Sequence, residues 1–271
     1  MTTVPLTRLR AGFGRHAQRL LRQLFYAGIG FAGLIVAWEV ITRFTDMPTP
    51  SDTASVLRDL LSNPLHANDS SAKGVLVNLG LSLQRVLTGF ALAMLVAVPL
   101  GFLMGASERV WAAVNPIVQF LRPVSPLAWL PIALVIFQAA PTAAIGTIFM
   151  TALWPTLLNT AFGVANVPQD HRNVARVFKF SRYKYVRHVL LPHSLPAIIT
   201  GMRISMGVAW LVIVAVEMLV GGGIGFYVWD SYNAGNNAQI IAAIFFIGAV
   251  GLILDTLFNA LLRRVSYVES T

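Results

Sequence analysis

Three long intervals of this sequence carry no charged side chain. Runs of 22, 47 and 24 uncharged residues occupy positions 86–107, 123–169 and 231–254. A membrane-spanning helix needs about 20 consecutive apolar residues, and hydrocarbon accepts only structures that pair every backbone polar group. The intervals therefore predict an all-α fold, a polytopic membrane protein in which several helices cross the bilayer.

Composition excludes several other classes of protein. Hydrophobic residues make up 56% of the 271 residues and charged residues 11%, whereas soluble domains carry about 25% charged residues. The absence of cysteine excludes a disulfide framework, thiolate metal sites and cysteine nucleophiles. A net charge of +9 is typical of nucleic-acid binding, but so apolar a chain cannot form a soluble basic domain. We therefore expect no nucleic-acid partner.

The interval of 47 residues is too long for one span. We expect it to divide at 138–141, where small residues precede a proline that favours a helix start. Six spans then form one transmembrane domain, residues 25–262, between a basic N-terminal segment, 1–24, and a short tail, 263–271. The predicted spans are residues 25–43, 82–105, 113–138, 142–160, 197–220 and 239–262, and a cytoplasmic loop occupies 161–196.

Lysine and arginine predict the orientation of these spans. With the N-terminus inside, the cytoplasmic segments hold fourteen of the 20 cationic residues and the external loops hold only Arg58 and Lys73. Cytoplasmic loops of membrane proteins carry an excess of Lys and Arg. The sequence therefore predicts that both termini are cytoplasmic.

Several motifs favour packing over chemistry. Residues 28–33 match the glycine pattern of dinucleotide-binding folds, but no strand–helix–strand unit surrounds them, so close helix packing explains them better. Gly101 and Gly105 predict a second close helix contact. His188 and His193 have no acidic neighbour and do not predict a metal site. The chain has no P-loop motif, so an ATP-driven mechanism would need an ATPase on another chain.

Three ionisable residues fall in or near predicted spans: Glu39, Arg203 and Glu217. Because a charge in hydrocarbon is costly, each should face the bundle interior, a watery cavity or a partner charge. For Glu217, a structural ion pair or a protonated carboxyl group and a role in lining a path are equally compatible with the sequence.

The predicted cytoplasmic loop has the design of a docking surface. Pro168 favours a helix start, and Val174, Val177 and Phe178 form an apolar stripe on that short helix. Ser181 is a predicted cap of a second amphipathic helix. Six cationic side chains surround these helices: Arg172, Arg176, Lys179, Arg182, Lys184 and Arg187. Such a surface suits either a partner protein or anionic lipid.

The spacing of this loop resembles the "EAA" loop of ABC importer permeases. Three of the six positions of that pattern match, namely Ala175, Leu191 and Pro192. Three depart from it: Asn173 stands for Glu, Val174 for Ala and Lys179 for Gly. The resemblance identifies the ATPase-coupling loop by the residues Asn173, Val174, Ala175, Val177, Phe178, Lys179, Leu191 and Pro192.

Other stretches resemble one group of that family. Residues 82–90, 98–101 and 121–131 are similar to spans of the nitrate/sulfonate/taurine permeases, and 154–160 and 223–233 are nearer to the nitrate and bicarbonate branch. The resemblance implies a type I importer permease with a MetI-like bundle, located in the inner (cytoplasmic) cell membrane. It implies a small anion as substrate, nitrate or nitrite first, with sulfonate, taurine, bicarbonate or cyanate as alternatives.

The resemblance also implies partners and the division of labour among them. Two cytoplasmic ATPase subunits would bind ATP and Mg, and this chain would bind no cofactor and catalyse no reaction. A second permease subunit, in a homodimer, and an external or periplasmic solute-binding protein would complete the importer in the lipid bilayer. An ATPase-independent secondary transporter is the alternative from another class, although the halves of the chain show no convincing inverted repeat.

Polar side chains in the predicted spans are the candidates for the translocation path. An oxyanion needs hydrogen-bond donors without a deep charge trap, because a tight site would slow its release. The candidates are Arg85, Gln119, Gln138, Asn159, Arg203, Ser205, Trp210 and Glu217. Most of them are equally compatible with helix packing.

Overall fold

The computed structural model of the chain describes residues 7–62, 65 and 74–266, with side chains for residues 22, 25–62, 65 and 74–265. These residues form helices and no strand, which confirms the predicted fold class. Residues 1–6 of the predicted N-terminal segment 1–24, residues 267–271 of the predicted tail 263–271, and the external Lys73 lie outside the described residues. The helices are α1 (Thr7–Thr42), α2 (Pro50–Ser62), α3 (Val75–Ala106), α4 (Glu108–Leu121), α5 (Trp129–Phe137), α6 (Ala140–Ala165), α7 (Gln169–Val177), α8 (Arg182–Tyr185), α9 (Leu191–Val220), α10 (Gly223–Asn233) and α11 (Asn237–Ser266).

Five helical segments of the described chain are long and apolar enough to cross a membrane, and a bent pair of helices makes a sixth. The five are Phe25–Thr42, Val75–Ala106, Ala140–Ala165, Arg182–Val220 and Asn237–Val265. The chain divides into two compact units, of which the first ends at Asp59 and the second begins at Leu60. Each unit is described by itself below.

The bent pair differs from the single straight span predicted for residues 113–138. Helix α4 and the segment Pro126–Phe137, which comprises one 3-10 turn and α5, meet at 91°. Pro123 and Pro126 remove two backbone donors within four residues, and Ser125, the residue before Pro126, leaves the helical region with ψ of 132°. The bend follows from those prolines, which an argument from apolar length alone does not weigh.

Helix α5 ends where Gln138 adopts a left-handed conformation, with φ of 51°. Its backbone N–H donates to Leu134 O at 2.9 Å, and α6 begins two residues later with Pro141 in its first turn. This turn lies at the residues where the sequence predicts that the long uncharged interval divides.

In the first unit, Thr49 and Asp52 form a capping box at the start of α2. Thr49 Oγ1 and the Thr49 backbone N–H donate to Asp52 Oδ2 at 2.7 and 3.1 Å, and the Asp52 N–H donates back to Thr49 Oγ1 at 3.2 Å. These hydrogen bonds lower the pKa of the Asp52 carboxyl group below its ordinary value. Within the first unit, no described atom lies within 4 Å of a Cβ added to Gly28, Gly30 or Gly33, so this unit does not itself supply the close packing predicted there.

The core of the second unit lies between α3, α6 and α9. Side chains such as Leu157 and Ile213 are fully buried there. A Cβ added to Gly101 would lie 2.6 Å from Leu157 O, and one added to Gly105 would collide with Ala161 O, so only glycine permits this approach of α3 to α6. The structure confirms the close packing predicted for this glycine pair.

Candidate functional site

A buried ion pair joins α3 to α9. Arg85 Nη1 lies 2.9 Å from Glu217 Oε1, and the Glu217 side chain is fully buried. Ser82 Oγ and the Gly225 backbone N–H donate to Glu217 Oε2 at 2.6 and 3.1 Å. The second carboxylate oxygen therefore has two donors, which a buried carboxylate requires.

The same arginine also holds the start of α10. Arg85 Nη1 donates to Gly222 O at 2.9 Å and to Gly221 O at 3.3 Å. Gly221, Gly222 and Gly223 all have positive φ, at 86°, 72° and 87°, and a Cβ on Gly223 would collide with the Glu217 carboxyl group. In this structure Arg85 and Glu217 tie three helices together.

Arg203, the other arginine predicted to lie in the path, pairs with α11. Its Nε and Nη2 donate to Asp255 Oδ1 and Oδ2 at 2.7 and 3.0 Å, a bidentate pair with partly exposed side chains. Asn259 Nδ2 donates to the same carboxylate at 3.0 Å. Arg85 and Arg203, both predicted to line the path, thus each form an ion pair with a carboxylate of this chain.

Three further candidates hydrogen-bond to helix backbone. Ser205 Oγ donates to Ala152 O at 2.6 Å and lies 2.8 Å from Thr156 Oγ1. Asn159 Nδ2 donates to Pro155 O at 2.8 Å, within α6. Trp210 Nε1 donates to Ile247 O at 3.0 Å, which joins α9 to α11. These contacts make helix packing the role visible for these side chains.

Gln119 has different surroundings and lies in a row of polar side chains on α4. Trp111, Asn115, Gln119 and Arg122 are spaced by four, four and three residues, so they share one face of the helix. They line an open cavity of about 620 Å³. Sequence reasoning missed Trp111 and Arg122 as members of this row, although the helical spacing was a signal for it. Gln138, in the turn after α5, is exposed and lies apart from this cavity.

Arg122 also lines a second, smaller cavity of about 160 Å³, beside the break between α4 and α5. This cavity is bordered by Thr151 and Trp154 of α6 and by Val208 of α9. Those residues lie near the middle of the two helices, so the cavity lies at about half their length.

The loop predicted to be cytoplasmic carries an apolar ridge on α7. Val174, Val177 and Phe178 are 52%, 78% and 70% exposed, whereas Ala175 is buried on the opposite side. Asn173 and Lys179 are exposed beside the ridge. Apolar side chains so exposed on one short helix are typical of a surface that a partner covers.

Helix α7 ends at Val177, and two residues later Lys179 adopts a left-handed conformation with φ of 48°. The Lys179 N–H donates to Arg176 O at 3.1 Å and the Phe180 N–H donates to Ala175 O at 2.9 Å, which is the Schellman arrangement. Glycine is the residue that this position prefers. The geometry explains why the pattern that the loop resembles has Gly where this chain has Lys.

The predicted second helix of the loop continues into the next span. Ser181 caps α8 by accepting a hydrogen bond from the Lys184 N–H, and a π-helical turn, Val186–Leu190, joins α8 to α9 without a break. Leu191 and Pro192 lie exposed directly after this π-helical turn, and Pro192 has no backbone N–H to donate to the preceding turn. Helix α8 and the following span thus form one continuous helix of 39 residues, Arg182–Val220.

No group of three or more His, Asp or Glu side chains within the described ranges is arranged to hold a metal ion. His188 Nδ1 lies 3.1 Å from Lys184 O, one turn earlier on its own helix. The rings of His171 and His193 meet edge to face, with centroids 6.1 Å apart.

Comparison with known proteins gives concordant similarities. Residues 89–267 match the family described as "binding-protein-dependent transport system inner membrane component". The chain is 43% identical over 249 residues to the nitrate import permease protein NrtB of Leptolyngbya laminosa, covering 91% of this chain and 89% of that one. It is 44% identical over 241 residues to the bicarbonate transport system permease protein CmpB of Synechococcus elongatus, covering 87% and 86%.

A solved structure shows the same fold. The described helices resemble a chain of the inward-facing MetNI methionine ABC transporter with a TM-score of 0.64 at 18% identity, covering 70% of this chain and 96% of that one. At this identity the likeness concerns the fold alone.

Proposed function

The chain belongs to the family of binding-protein-dependent transport system inner membrane components, and from that membership we propose that it forms half of the translocation path of an importer for nitrate or nitrite. It is a permease subunit of an ABC importer. The observation that carries the proposed mechanism is the exposed ridge of Val174, Val177 and Phe178 on a cytoplasmic loop between membrane-spanning helices.

The relatives support a small oxyanion as the substrate. Two nitrate import permeases are 43% and 42% identical over 249 and 245 residues, and two bicarbonate permeases are 44% and 42% identical over 241 and 246 residues. Nitrate and bicarbonate are both planar monoanions, so a path built for one has donors suited to the other. Bicarbonate is therefore the second candidate substrate.

The proposed mechanism places ATP hydrolysis on partner chains. Two cytoplasmic ATPases would bind ATP and Mg, and the ridge on α7 would sit in a cleft of one of them. A second copy of this chain and a solute-binding protein would complete the importer. Closure of the ATPase pair would favour one of two states of the helix bundle, and such differential binding is all that coupling requires.

The proposed setting is the inner membrane with both termini in the cytoplasm. The family description names an inner membrane component, and the described helices supply five or six spans. The excess of Lys and Arg in the segments predicted to be cytoplasmic supports the orientation.

Uptake by the assembled importer tests the substrate. The chain, its ATPase and its binding protein are reconstituted in liposomes, and labelled nitrate is supplied with ATP inside. We expect uptake that unlabelled nitrate and nitrite suppress and taurine does not. ATP-dependent uptake of labelled bicarbonate without uptake of labelled nitrate would transfer the assignment to bicarbonate.

A further inference from the structure

We propose that the row Trp111, Asn115, Gln119 and Arg122 on α4 is a binding site for the translocated oxyanion, with Arg122 as its charged member. The inference rests on the proposed function, since it assigns the contact that the anion makes within this chain. The two cavities beside this row have volumes of about 620 and 160 Å³, and Arg122 lines both of them.

Arg122 differs from the two arginines that carboxylates neutralise. Arg85 and Arg203 each pair with a carboxylate at 2.9 Å or closer. The Arg122 guanidinium group makes no hydrogen bond or ion pair with any described residue, and its side chain is exposed. An exposed guanidinium group without a partner keeps its N–H donors available for an incoming anion.

The position of Arg122 near the middle of the neighbouring helices is a further argument that it faces water or a ligand. It shares the smaller cavity with Thr151 and Val208, which lie near the middle of α6 and α9. An unpaired charge at the centre of a bilayer is costly and is tolerated where it faces water or a ligand. An aqueous path at this position meets that requirement.

The backbone at the break gives a second, independent indication of water. Residues 123–125 lie between Arg122, the helical C-cap of α4, and the 3-10 turn at Pro126, and Pro123 and Ser125 are exposed. Non-helical backbone at membrane depth occurs where it is buried in protein or lines a water-filled cavity. Exposure of these residues favours the water-filled cavity.

The chemistry of the row suits a planar monoanion. Trp111 supplies an indole N–H, Asn115 and Gln119 supply amide N–H groups, and Arg122 supplies one positive charge. None of the described residues that line either cavity is Asp or Glu. One cation among neutral donors attracts an oxyanion without holding it too tightly for release.

Uptake by variants of the complete importer tests the role of Arg122. We expect Arg122→Gln to lower the initial rate of ATP-dependent nitrate uptake at least tenfold, and Arg122→Lys to retain more activity because it keeps the charge. The matched control is Arg109→Gln, which changes an exposed arginine on the same helix that lines neither cavity. Uptake within twofold of the unchanged protein for Arg122→Gln, with the same preference among anions, would overturn the proposal.

A second measurement does not depend on transport. The chain has no cysteine, so single cysteines can be placed at Gln119 and at its neighbour Phe120, which is exposed but off the row. In the complete importer, a negatively charged thiosulfonate should modify Gln119→Cys at least tenfold faster than Phe120→Cys, and nitrate should slow the faster reaction. Equal rates at the two positions, followed on this chain by mass spectrometry, would contradict an aqueous anion site.

The outcomes separate this inference from the function on which it rests. If the unchanged importer takes up no anion with ATP, the proposed function fails. If it transports while Arg122→Gln transports equally well and Gln119→Cys reacts no faster than Phe120→Cys, only the anion site fails.

Discussion

Arg85 and Glu217 show how this chain accommodates charge inside a membrane-spanning bundle. The carboxylate is fully buried and accepts hydrogen bonds from Ser82, Arg85 and Gly225. Removal of one partner from a buried ion pair costs far more than removal of both, because the remaining charge stays desolvated. The pair is therefore best tested by comparing single and double variants.

Arg85→Met should destabilise the purified chain by about 3–5 kcal/mol, because Glu217 remains buried without its cation. The double variant Arg85→Met/Glu217→Met should recover most of that loss, since it removes both charges from the core. The measurement is the thermal unfolding midpoint in detergent. A double variant as unstable as the single one would show that the pair contributes through something other than its charges.

At the scale of elements, the end of α7 is set by backbone conformation rather than by side-chain contact. Lys179 has φ of 48°, in the region where a Cβ atom is unfavourable. The Schellman hydrogen bonds of Lys179 and Phe180 hold the chain in that conformation.

Lys179→Gly should stabilise this turn by about 1 kcal/mol, because glycine adopts positive φ without steric cost. The expected readout is hydrogen exchange of the Phe180 amide, slowed about fivefold by the stronger turn. Lys184→Gly, a matched change within helical backbone of α8, should instead speed exchange nearby. Unchanged exchange in Lys179→Gly would contradict the strain assigned to Lys179.

The elements also show what sequence can and cannot predict here. Charge-free runs predict the all-helical fold because the bilayer imposes helical pairing on any long apolar stretch. Charge-free runs do not predict the 91° bend after Leu121, because hydropathy measures only how apolar a segment is. The prolines at 123 and 126 carry the information about the bend. A turn such as that at Gln138 is local, so the small residues and the proline beside it suffice to predict it.

The candidate site was harder to predict for a related reason. Arg85 and Glu217 are 132 positions apart, and only the packing of α3 against α9 brings their side chains together. The sequence identifies both as costly charges but not as partners. It identifies Gln119 as polar, whereas the cavity beside Gln119 and the lack of a partner for Arg122 appear only after the helices are packed.

At the scale of the whole molecule, the net charge of +9 is chiefly a signal of orientation. Fourteen of the 20 cationic residues fall in segments predicted to be cytoplasmic, and six of them lie in the loop 161–196 that is proposed to couple to the ATPase. The absence of cysteine allows a direct test of this topology.

Ser181→Cys, in the loop between α7 and α8, should react with an impermeant thiol reagent only from the cytoplasmic side of sealed vesicles. Ala234→Cys, in the turn before α11, should react only from the external side. Both positions are exposed in this chain. Labelling of both from the same side would contradict the proposed orientation.

We propose that this permease moves an anion only when a partner ATPase hydrolyses ATP. The most direct measurement is nitrate uptake into proteoliposomes that contain this chain, its ATPase and its binding protein, compared with the same vesicles carrying a hydrolysis-deficient ATPase and with vesicles carrying this chain alone. We predict uptake in the first case and background levels in the other two. Uptake by this chain alone, driven by an ion gradient without ATP, would contradict the account.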